Sequence, residues 1–306
     1  MTRILFVKTS SLGDVVHNCP AVSDAARALP GAAIDWIVEE PFADIAAMHG
    51  AVRRVIPVAV RRWRAALWQP ATWAEIGAWR RAVRAEQYDA VVDTQALLKS
   101  ALISKAASGT RHGMDRASAR EWLAPGLYDV RHAVPRDLHA VERNRRLTAS
   151  ALGFDLQAPI DYGLRIPAAD KSGYVVLLTM TSRADKLWPE ERWIELGRGL
   201  RAPAILPWGS EAERARAQRI ALEIGATVLP KPLQLHELAR LFVAARSVVG
   251  LDTGLTHLAA ALGVPTVGIY CGSDPALTGL YGAPHARNVG ARGRPPEVAE
   301  VLQVLR

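Results

Sequence analysis

The sequence predicts an α/β protein of two Rossmann-like, doubly wound domains facing a central cleft, and three observations carry that expectation. Its 306 residues exceed one small core and suit about two domains of roughly 100–200 residues each. Short β-branched apolar runs alternate with helical apolar patterns, the order that gives a parallel sheet with helices on both faces. The alternation lapses once, from Phe154 to Ser172, in a region punctuated by Pro159, Gly163, Pro167 and Gly173. A linker there divides the chain into residues 1–160 and 161–306, with the closing helix free to pack back on the first domain.

Arg3 to Lys8, β-branched and aromatic, reads as the opening strand, Thr9 to Asp14 as a tight loop, and Pro20 to Leu29 as a helix. Strands at Ile34 to Glu39, Val52 to Val58 and Tyr88 to Asp93 follow, with helices near Pro41 to Met48 and at Leu97 to Ala107. After the linker, Tyr174 to Met180 reads as a strand. Pro189 to Leu200 reads as a helix with proline in its first turn, where the missing N–H has no intrahelical partner to lose. Strands at Ala204 to Pro207, Ala226 to Leu229, Ser247 to Leu251 and Thr266 to Tyr270 then alternate with helices at Glu211 to Ile224, Leu235 to Ala244 and Gly254 to Leu262. A helix from about Pro295 to Leu305 closes the chain. The cleft expected between two such sheets lies at the carboxyl ends of strands, where open α/β sheets bind ligands.

Half of the residues are hydrophobic and 22% are charged, a globular balance rather than a disordered one. The longest apolar runs, Tyr174 to Met180 and Leu258 to Val264, fall far short of the roughly 20 residues that cross a bilayer. The first residues lack the apolar stretch and cleavage site of a secretory signal, so a cytoplasmic location is expected. Cys19 and Cys271 stand far apart in no metal or disulfide spacing and are expected to be reduced thiols. A net charge of +8 asks for an anionic partner, whether nucleic acid, an acidic lipid surface or an anionic substrate.

Four segments carry chemistry. In Lys8-Thr-Ser-Ser-Leu-Gly-Asp14, small residues let the backbone approach a ligand, and Asp14 either accepts a proton from a substrate hydroxyl or caps the following helix. The spacing is not that of a Walker loop. In Leu251-Asp-Thr-Gly-Leu-Thr-His257, the helix start at Thr253 and Gly254 suits a diphosphate, Asp252 suits sugar hydroxyls or the loop backbone, and His257 either meets phosphate or packs. The α/β alternation around this Asp-Thr-Gly triplet argues against an aspartic protease. In Thr181-Ser-Arg-Ala-Asp-Lys-Leu-Trp-Pro-Glu190, hydroxyls, Arg183 and Lys186 before a helix make either an anion-binding turn or a solvated loop. Arg61-Arg-Trp-Arg-Ala-Ala-Leu-Trp68, with Trp73, Trp79, Arg80, Arg81 and Arg84, interleaves indoles and guanidinium groups as an acidic lipid surface requires. A solvated helix face with inward tryptophans is the alternative, and the usual nucleic-acid motifs are missing.

Taken together, these segments resemble the lipopolysaccharide heptosyltransferase I family, within the ADP-heptose:LPS heptosyltransferases of glycosyltransferase family 9. The resemblance rests on Val7-Lys-Thr-Ser-Ser-Leu-Gly-Asp14, Asp35-Trp-Ile-Val-Glu-Glu40, Arg53-Arg-Val-Ile-Pro-Val-Ala-Val-Arg-Arg-Trp-Arg64, Lys186-Leu-Trp-Pro-Glu-Glu191, Leu206-Pro-Trp-Gly209 and Asp252-Thr-Gly-Leu-Thr-His257, in that order over nearly the whole chain. It implies a GT-B fold with an N-terminal acceptor domain and a C-terminal nucleotide-sugar domain. It also implies an inverting transfer of L-glycero-D-manno-heptose from ADP-heptose to the Kdo sugar of Kdo2-lipid A, at the cytoplasmic face of the inner membrane. By the same resemblance Asp14 is the general base, and Thr181, Ser182, Lys186, Glu213, Asp252, Thr253, Gly254 and His257 bind the donor. Arg61, Arg62, Arg64, Lys99, Arg120 and Arg143 hold the anionic acceptor. No cofactor beyond the donor, no metal and no nucleic acid are expected, in keeping with the missing Asp-x-Asp motif.

Three positions depart from the family pattern. Ala96 stands where glycine is usual, Thr179 replaces a histidine, and Cys271-Gly-Ser273 replaces a Gly-Pro-Thr-like turn. The rival readings are a heptosyltransferase II acting on a heptose acceptor, a nucleotide-sugar epimerase on a similar fold, and a basic nucleic-acid or lipid-binding module.

Overall fold

The structure is a computed structural model describing residues 1–167 and 169–305; Ala168, within the expected linker, and Arg306, at the end of the expected second domain, lie outside the described residues. The chain divides into two compact units, Met1–Leu164 and Arg165–Arg306. Each is a six-stranded sheet in which neighbouring strands pair in parallel.

The first unit runs β1 (Arg3–Val7), α1 (Leu12–Val16), α2 (Cys19–Ala28), β2 (Ala33–Glu39), α3 (Ala43–Met48), β3 (Val52–Val58), α4 (Val60–Ala65), α5 (Pro70–Arg84), β4 (Gln87–Asp93), α6 (Leu98–Ser104), β5 (Ser108–Met114), β6 (Val130–His132) and α7 (Ala140–Leu152). Its strand order is β3-β2-β1-β4-β5-β6. Central parallel strands are covered on both faces, so Ile4, Leu5, Phe6 and Val7 form a continuous apolar run with no exposed surface.

The sequence reading has no counterpart for β5, β6 and α7, and composition explains why. β5 is Ser-Gly-Thr-Arg-His-Gly-Met, whose glycines fit close approaches: a Cβ on Gly113 would lie 2.2 Å from the Tyr128 ring. The buried face of α7 carries Arg145, paired at 2.6 Å with the equally buried Asp24 of α2, so no clean apolar stripe marks it.

The second unit runs β7 (Val175–Leu178), α8 (Glu190–Gly199), β8 (Ala204–Leu206), α9 (Glu211–Ile224), β9 (Thr227–Val228), α10 (Leu235–Ala244), β10 (Ser247–Leu251), α11 (Gly254–Ala261), β11 (Thr266–Tyr270), α12 (Pro275–Thr278), β12 (Ala286–Gly290) and α13 (Val298–Leu305). Its order, β12-β11-β10-β7-β8-β9, repeats that of the first sheet when its strands are counted from β7. Helix α13 is built into this unit's own core: Val298 and Val301 are buried there, and Leu302 lies so close that a Cβ on Gly199 would sit 2.8 Å from it. The apolar face of α13 is taken up by α8 and β11.

In both sheets the strand order reverses beside the opening strand, at β1/β4 and at β7/β10. At such a reversal the connections on either side run to opposite faces, and the crevice this leaves is where such sheets bind ligands. Three of the four segments that carry chemistry lie in the loops leaving those strand pairs.

Candidate active site

In the first unit, residues 8–11 leave β1 and residues 94–97 leave β4. Gln95 ties the two loops together: its Oε1 accepts from the backbone N–H of Thr9 at 2.9 Å and of Ser10 at 3.2 Å, and its Nε2 donates to Ser10 O. Buried Asp93 shapes the second loop, accepting from the N–H groups of Gln95 and Ala96 and from the Tyr128 hydroxyl at 2.8 Å. Under that constraint Ala96 takes φ 56°, and among the described residues it is the sole non-glycine with positive φ. The glycine usual at this position therefore has a local reason, and alanine adopts the same turn at some steric cost.

Asp14 sits in α1 and caps it, one of the two readings left open by the sequence. Its Oδ2 accepts from the Ser11 backbone N–H at 3.1 Å and from the Ser11 hydroxyl at 3.4 Å, while Ser11 is the N-cap. Its Oδ1 faces Arg120, whose Nη2 donates at 2.6 Å and whose Nη1 reaches Oδ2 at 3.3 Å. Burial pushes this carboxyl up, but the charges of Lys8 and Arg120 and the Arg120 hydrogen bond outweigh it and hold the group well below the usual carboxylate range. Lys8 is 2% exposed, with its ammonium donating to Thr94 O at 2.9 Å and Asn144 Oδ1 at 3.3 Å. Burial, opposed by Asp14, brings Lys8 down to about 7.

Three of the six expected acceptor cations gather at this loop. Lys99 donates to Ser10 Oγ at 2.8 Å, Arg120 covers Asp14, and Arg143 donates to Ser118 O at 2.6 Å while its buried Nε has no partner. Lys8, Ala96, Met114, Arg120 and Arg143 line one small pocket. Arg61 stands on α4, its backbone N–H donating to Glu39, whose own N–H bonds Thr9 O, and its guanidinium lies 5.9 Å from the Phe42 ring centre. Arg62 is already paired with Glu40 and Glu75, whereas Arg64 is exposed. Sequence reasoning gave Lys8 and Gln95 no role of their own. The signal for Lys8 was a lysine ending an otherwise apolar central strand.

In the second unit, residues 179–189 leave β7 and residues 252–253 lead from β10 into α11. Asp252 is their common anchor: Lys186 Nζ donates to its Oδ2 at 2.7 Å, the Ser273 hydroxyl bonds the same oxygen, and His257 Nε2 lies 3.2 Å from Oδ1. Burial raises the Asp252 carboxyl, but His257, Lys186 and Ser273 overcome it and keep it well below the usual range. Asp252 thus holds a lysine and a histidine in place instead of standing free. Thr256 bonds Leu251 O at 2.6 Å, and a Cβ on Gly250 would lie 2.3 Å from its hydroxyl, so glycine there permits the tight entry into α11. Thr181 is half-buried and Ser182 exposed in the loop after β7, and Thr253 and Gly254 form the start of α11. Glu213 lies at the first turn of α9, its Oε2 accepting from Gly209 N–H at 2.6 Å.

Several residues that carried the resemblance are structural. Trp188 is fully buried, donates to Pro296 O at 3.1 Å and packs edge-on to Trp193 at 5.2 Å, fixing the loop that holds Lys186. Buried Asp35 accepts from Arg53, Arg54 and Tyr88, joining β2 to β3 and, beyond β1, to β4. Ser273, which the sequence reading met only as a departure from the family turn, proves to be a partner of Asp252. Gly272 beside it gives the loop room, since a Cβ there would lie 2.5 Å from Asp185 O. Both cysteines are buried, and burial raises the Cys271 thiol to about 11.

Comparison with known proteins places this geometry. Glycosyltransferase family 9 (heptosyltransferase) matches residues 76–301. The chain is 48% identical over 293 residues to lipopolysaccharide heptosyltransferase 1 of Salmonella typhimurium, covering 92% of each. The solved structure of E. coli heptosyltransferase WaaC with ADP matches with a TM-score of 0.91 at 43% identity, over 99% of this chain and 98% of that one. A structure of E. coli WaaC with ADP-2-deoxy-2-fluoro heptose gives 0.87 at 42% identity, over the same 99% and 98%.

Proposed function

This chain belongs to glycosyltransferase family 9, the heptosyltransferases, and is a glycosyltransferase of GT-B fold; from that premise we propose that it moves L-glycero-D-manno-heptose from ADP-heptose to the Kdo sugar of Kdo2-lipid A in lipopolysaccharide inner-core assembly. The observation that carries the reading is an ionised carboxylate, Asp14, ringed by cations at the switch point of the first sheet, in a chain so close to a heptosyltransferase 1. Lys99, Arg120 and Arg143, with Arg61, Arg62 and Arg64 on α4, suit an acceptor bearing carboxylate and phosphate groups.

In the proposed step, Asp14 takes the proton of a Kdo hydroxyl as that oxygen attacks the anomeric carbon. The bond from that carbon to the diphosphate oxygen breaks, ADP departs with the bonding electrons, and the configuration inverts. Lys186 and the free N–H groups at the start of α11 stabilise the charge gathering on ADP, so the reading assigns no metal ion to the step. Thr181, Ser182, Glu213, Thr253 and His257 bind the remainder of the donor, while Asp252 positions Lys186 and His257.

The test is ADP release from ADP-heptose with and without Kdo2-lipid A. Release that depends on Kdo2-lipid A supports the reading. A preference for a heptose-terminated acceptor would reassign the enzyme to the heptosyltransferase II reaction, and isomerisation of the donor alone would make it an epimerase.

The acceptor is a lipid, and the proposed place of reaction is the cytoplasmic face of the inner membrane. Among the described residues no helix is long and apolar enough to cross a membrane, so the reading calls for a docking surface. The α4–α5 segment supplies one. Leu67, Trp68 and Trp73 are 44%, 76% and 59% exposed. Trp73 Nε1 donates to Leu67 O at 2.8 Å, which satisfies the indole's polar atom and leaves an apolar face. Arg64, Arg80, Arg81 and Arg84 are exposed on the same two helices. Trp63 and Trp79 pack edge-on at 5.9 Å, so inward packing holds for part of the run, while Trp68 and Trp73 stay exposed. Binding to vesicles of phosphatidylethanolamine and phosphatidylglycerol is expected to weaken by about tenfold for each of Trp68→Ser and Trp73→Ser, the loss of part of a large buried side chain. Unchanged sedimentation with such vesicles would remove this surface from the account.

A further inference from the structure

We propose that Arg120 couples acceptor binding to base activation: its guanidinium covers Asp14 until the anionic acceptor draws it away, so that the carboxylate is released when the hydroxyl it serves arrives. The inference rests on the reading above in taking Asp14 as the base and an anionic sugar as the acceptor.

The contacts around Asp14 lead to it. A carboxylate oxygen offers about two acceptor directions; Oδ2 is crowded by Arg120 Nη1, Ser11 N–H and Ser11 Oγ, whereas Oδ1 meets Arg120 Nη2 at 2.6 Å. A substrate hydroxyl that is to give Asp14 its proton therefore approaches Oδ1, beside the guanidinium and in competition with it. The Ser11 contacts are local, made within one turn of the same helix start, and cannot move far. Lys8 cannot leave either, being 2% exposed and tied to Thr94 O and Asn144. Arg120 alone is exchangeable. It lies 106 residues away in sequence, in an irregular segment, with 38% of its side chain exposed. Arg143 nearby is held by Ser118 O, and its charge opposes that of Arg120. An incoming carboxylate or phosphate can therefore take Arg120 while relieving that repulsion.

The division of labour follows. Asp14 stays ionised throughout, and Arg120 sets how basic it is. With Arg120 in place, the strongest hydrogen bond on Asp14 is charge-assisted and bidentate, and the group is a weak base. Water at the donor's anomeric carbon then finds no effective proton acceptor, so ADP-heptose is spared hydrolysis. When the guanidinium moves to the acceptor, Asp14 gains proton affinity at the moment it is used. The charged groups that face Asp14 are Lys8 from the end of β1, His17 after α1 and Arg120; Asp93 at the end of β4 and Arg143 on α7 act on Lys8.

The experiment follows hydrolysis of ADP-heptose, not transfer. A Kdo analogue that keeps its carboxylate but lacks the accepting hydroxyl is added to the native enzyme and to Arg120→Gln. The expected result is slow native hydrolysis that rises roughly tenfold with the analogue, within the range a positioned base contributes. Arg120→Gln is expected to hydrolyse the donor roughly tenfold faster than native without the analogue, to gain nothing from it, and to show a raised acceptor KM. If Arg120→Gln does not fold, as judged by its thermal transition, Arg120→Lys carries the test, with hydrolysis between the two. Hydrolysis in the folded variant no faster than native, or native hydrolysis indifferent to the analogue, overturns the coupling. Should either occur while the native enzyme transfers heptose to Kdo2-lipid A, this inference fails alone. Failure of native transfer sinks the functional reading itself.

Discussion

Asp14→Ala is expected to lower heptosyl transfer by about 10²–10⁴-fold, the contribution of a well-placed general base, while its affinity for ADP-heptose stays within about twofold of native. The separation is expected because the proposed donor contacts all lie in the second unit, whereas Asp14 lies in the first. Alanine also removes the capping box with Ser11, which costs about 0.5–2 kcal/mol. Asp14→Asn is therefore the sharper variant: its amide oxygen still accepts from Ser11 N–H, so the helix start survives and the negative charge is lost. The pH dependence has a definite sign. Because the folded Asp14 carboxyl lies below its unfolded value, its ion pairs contribute stability that is fully present above the unfolded pKa near 3.9 and is lost as pH falls through the folded value. The asparagine variant should thus be less stable than native near neutrality and approach it only in acid. Transfer kinetics with isothermal titration of the donor analogue test the first part, and melting curves between neutral and acid pH test the second. A variant that transfers heptose at native rate would leave the reaction without its base.

How much of this was legible in the sequence depended on whether a residue's surroundings were local. The opening strand, the Lys8 to Asp14 loop and the α11 entry could be read because each is a short strand–turn–helix unit whose residue types act within a few positions of one another. The pairing of Lys186 with Asp252 was not, since it joins residues 66 apart through a sheet order that no local pattern encodes. The sequence reading took Lys186 as a cation free to meet a diphosphate, whereas the folded chain gives it a carboxylate partner. β5 escaped because its glycines follow steric demands from Tyr88 and Tyr128 instead of an apolar alternation. The positive φ of Ala96 could be felt only as an unexplained expectation of glycine. The resemblance supplied what local physics could not, by proposing roles in one reaction for segments far apart in sequence.

That partner makes Lys186 the second large effect. Lys186→Met is expected to lower kcat by about 10²–10³-fold, the loss typical of one preorganised group that meets developing charge. The same change leaves Asp252 with Ser273 and His257 alone. Breaking one side of a buried pair can cost about 3–5 kcal/mol, and the remaining partners and partial exposure of Lys186 reduce that here to about 1–2 kcal/mol. Rate and stability are therefore entangled in the single variant, and a double-variant cycle separates them. Asp252→Asn keeps the shape and removes the charge that Lys186 neutralises. In Lys186→Met with Asp252→Asn, the unpaired charge is gone, so melting temperature should recover most of the single variant's loss. Turnover should not recover, because no cation then faces the departing ADP. If turnover instead returned together with stability, Lys186 would be a positioning partner of Asp252 only, and the charge on the leaving diphosphate would have to be met by the amides at the start of α11 and by His257.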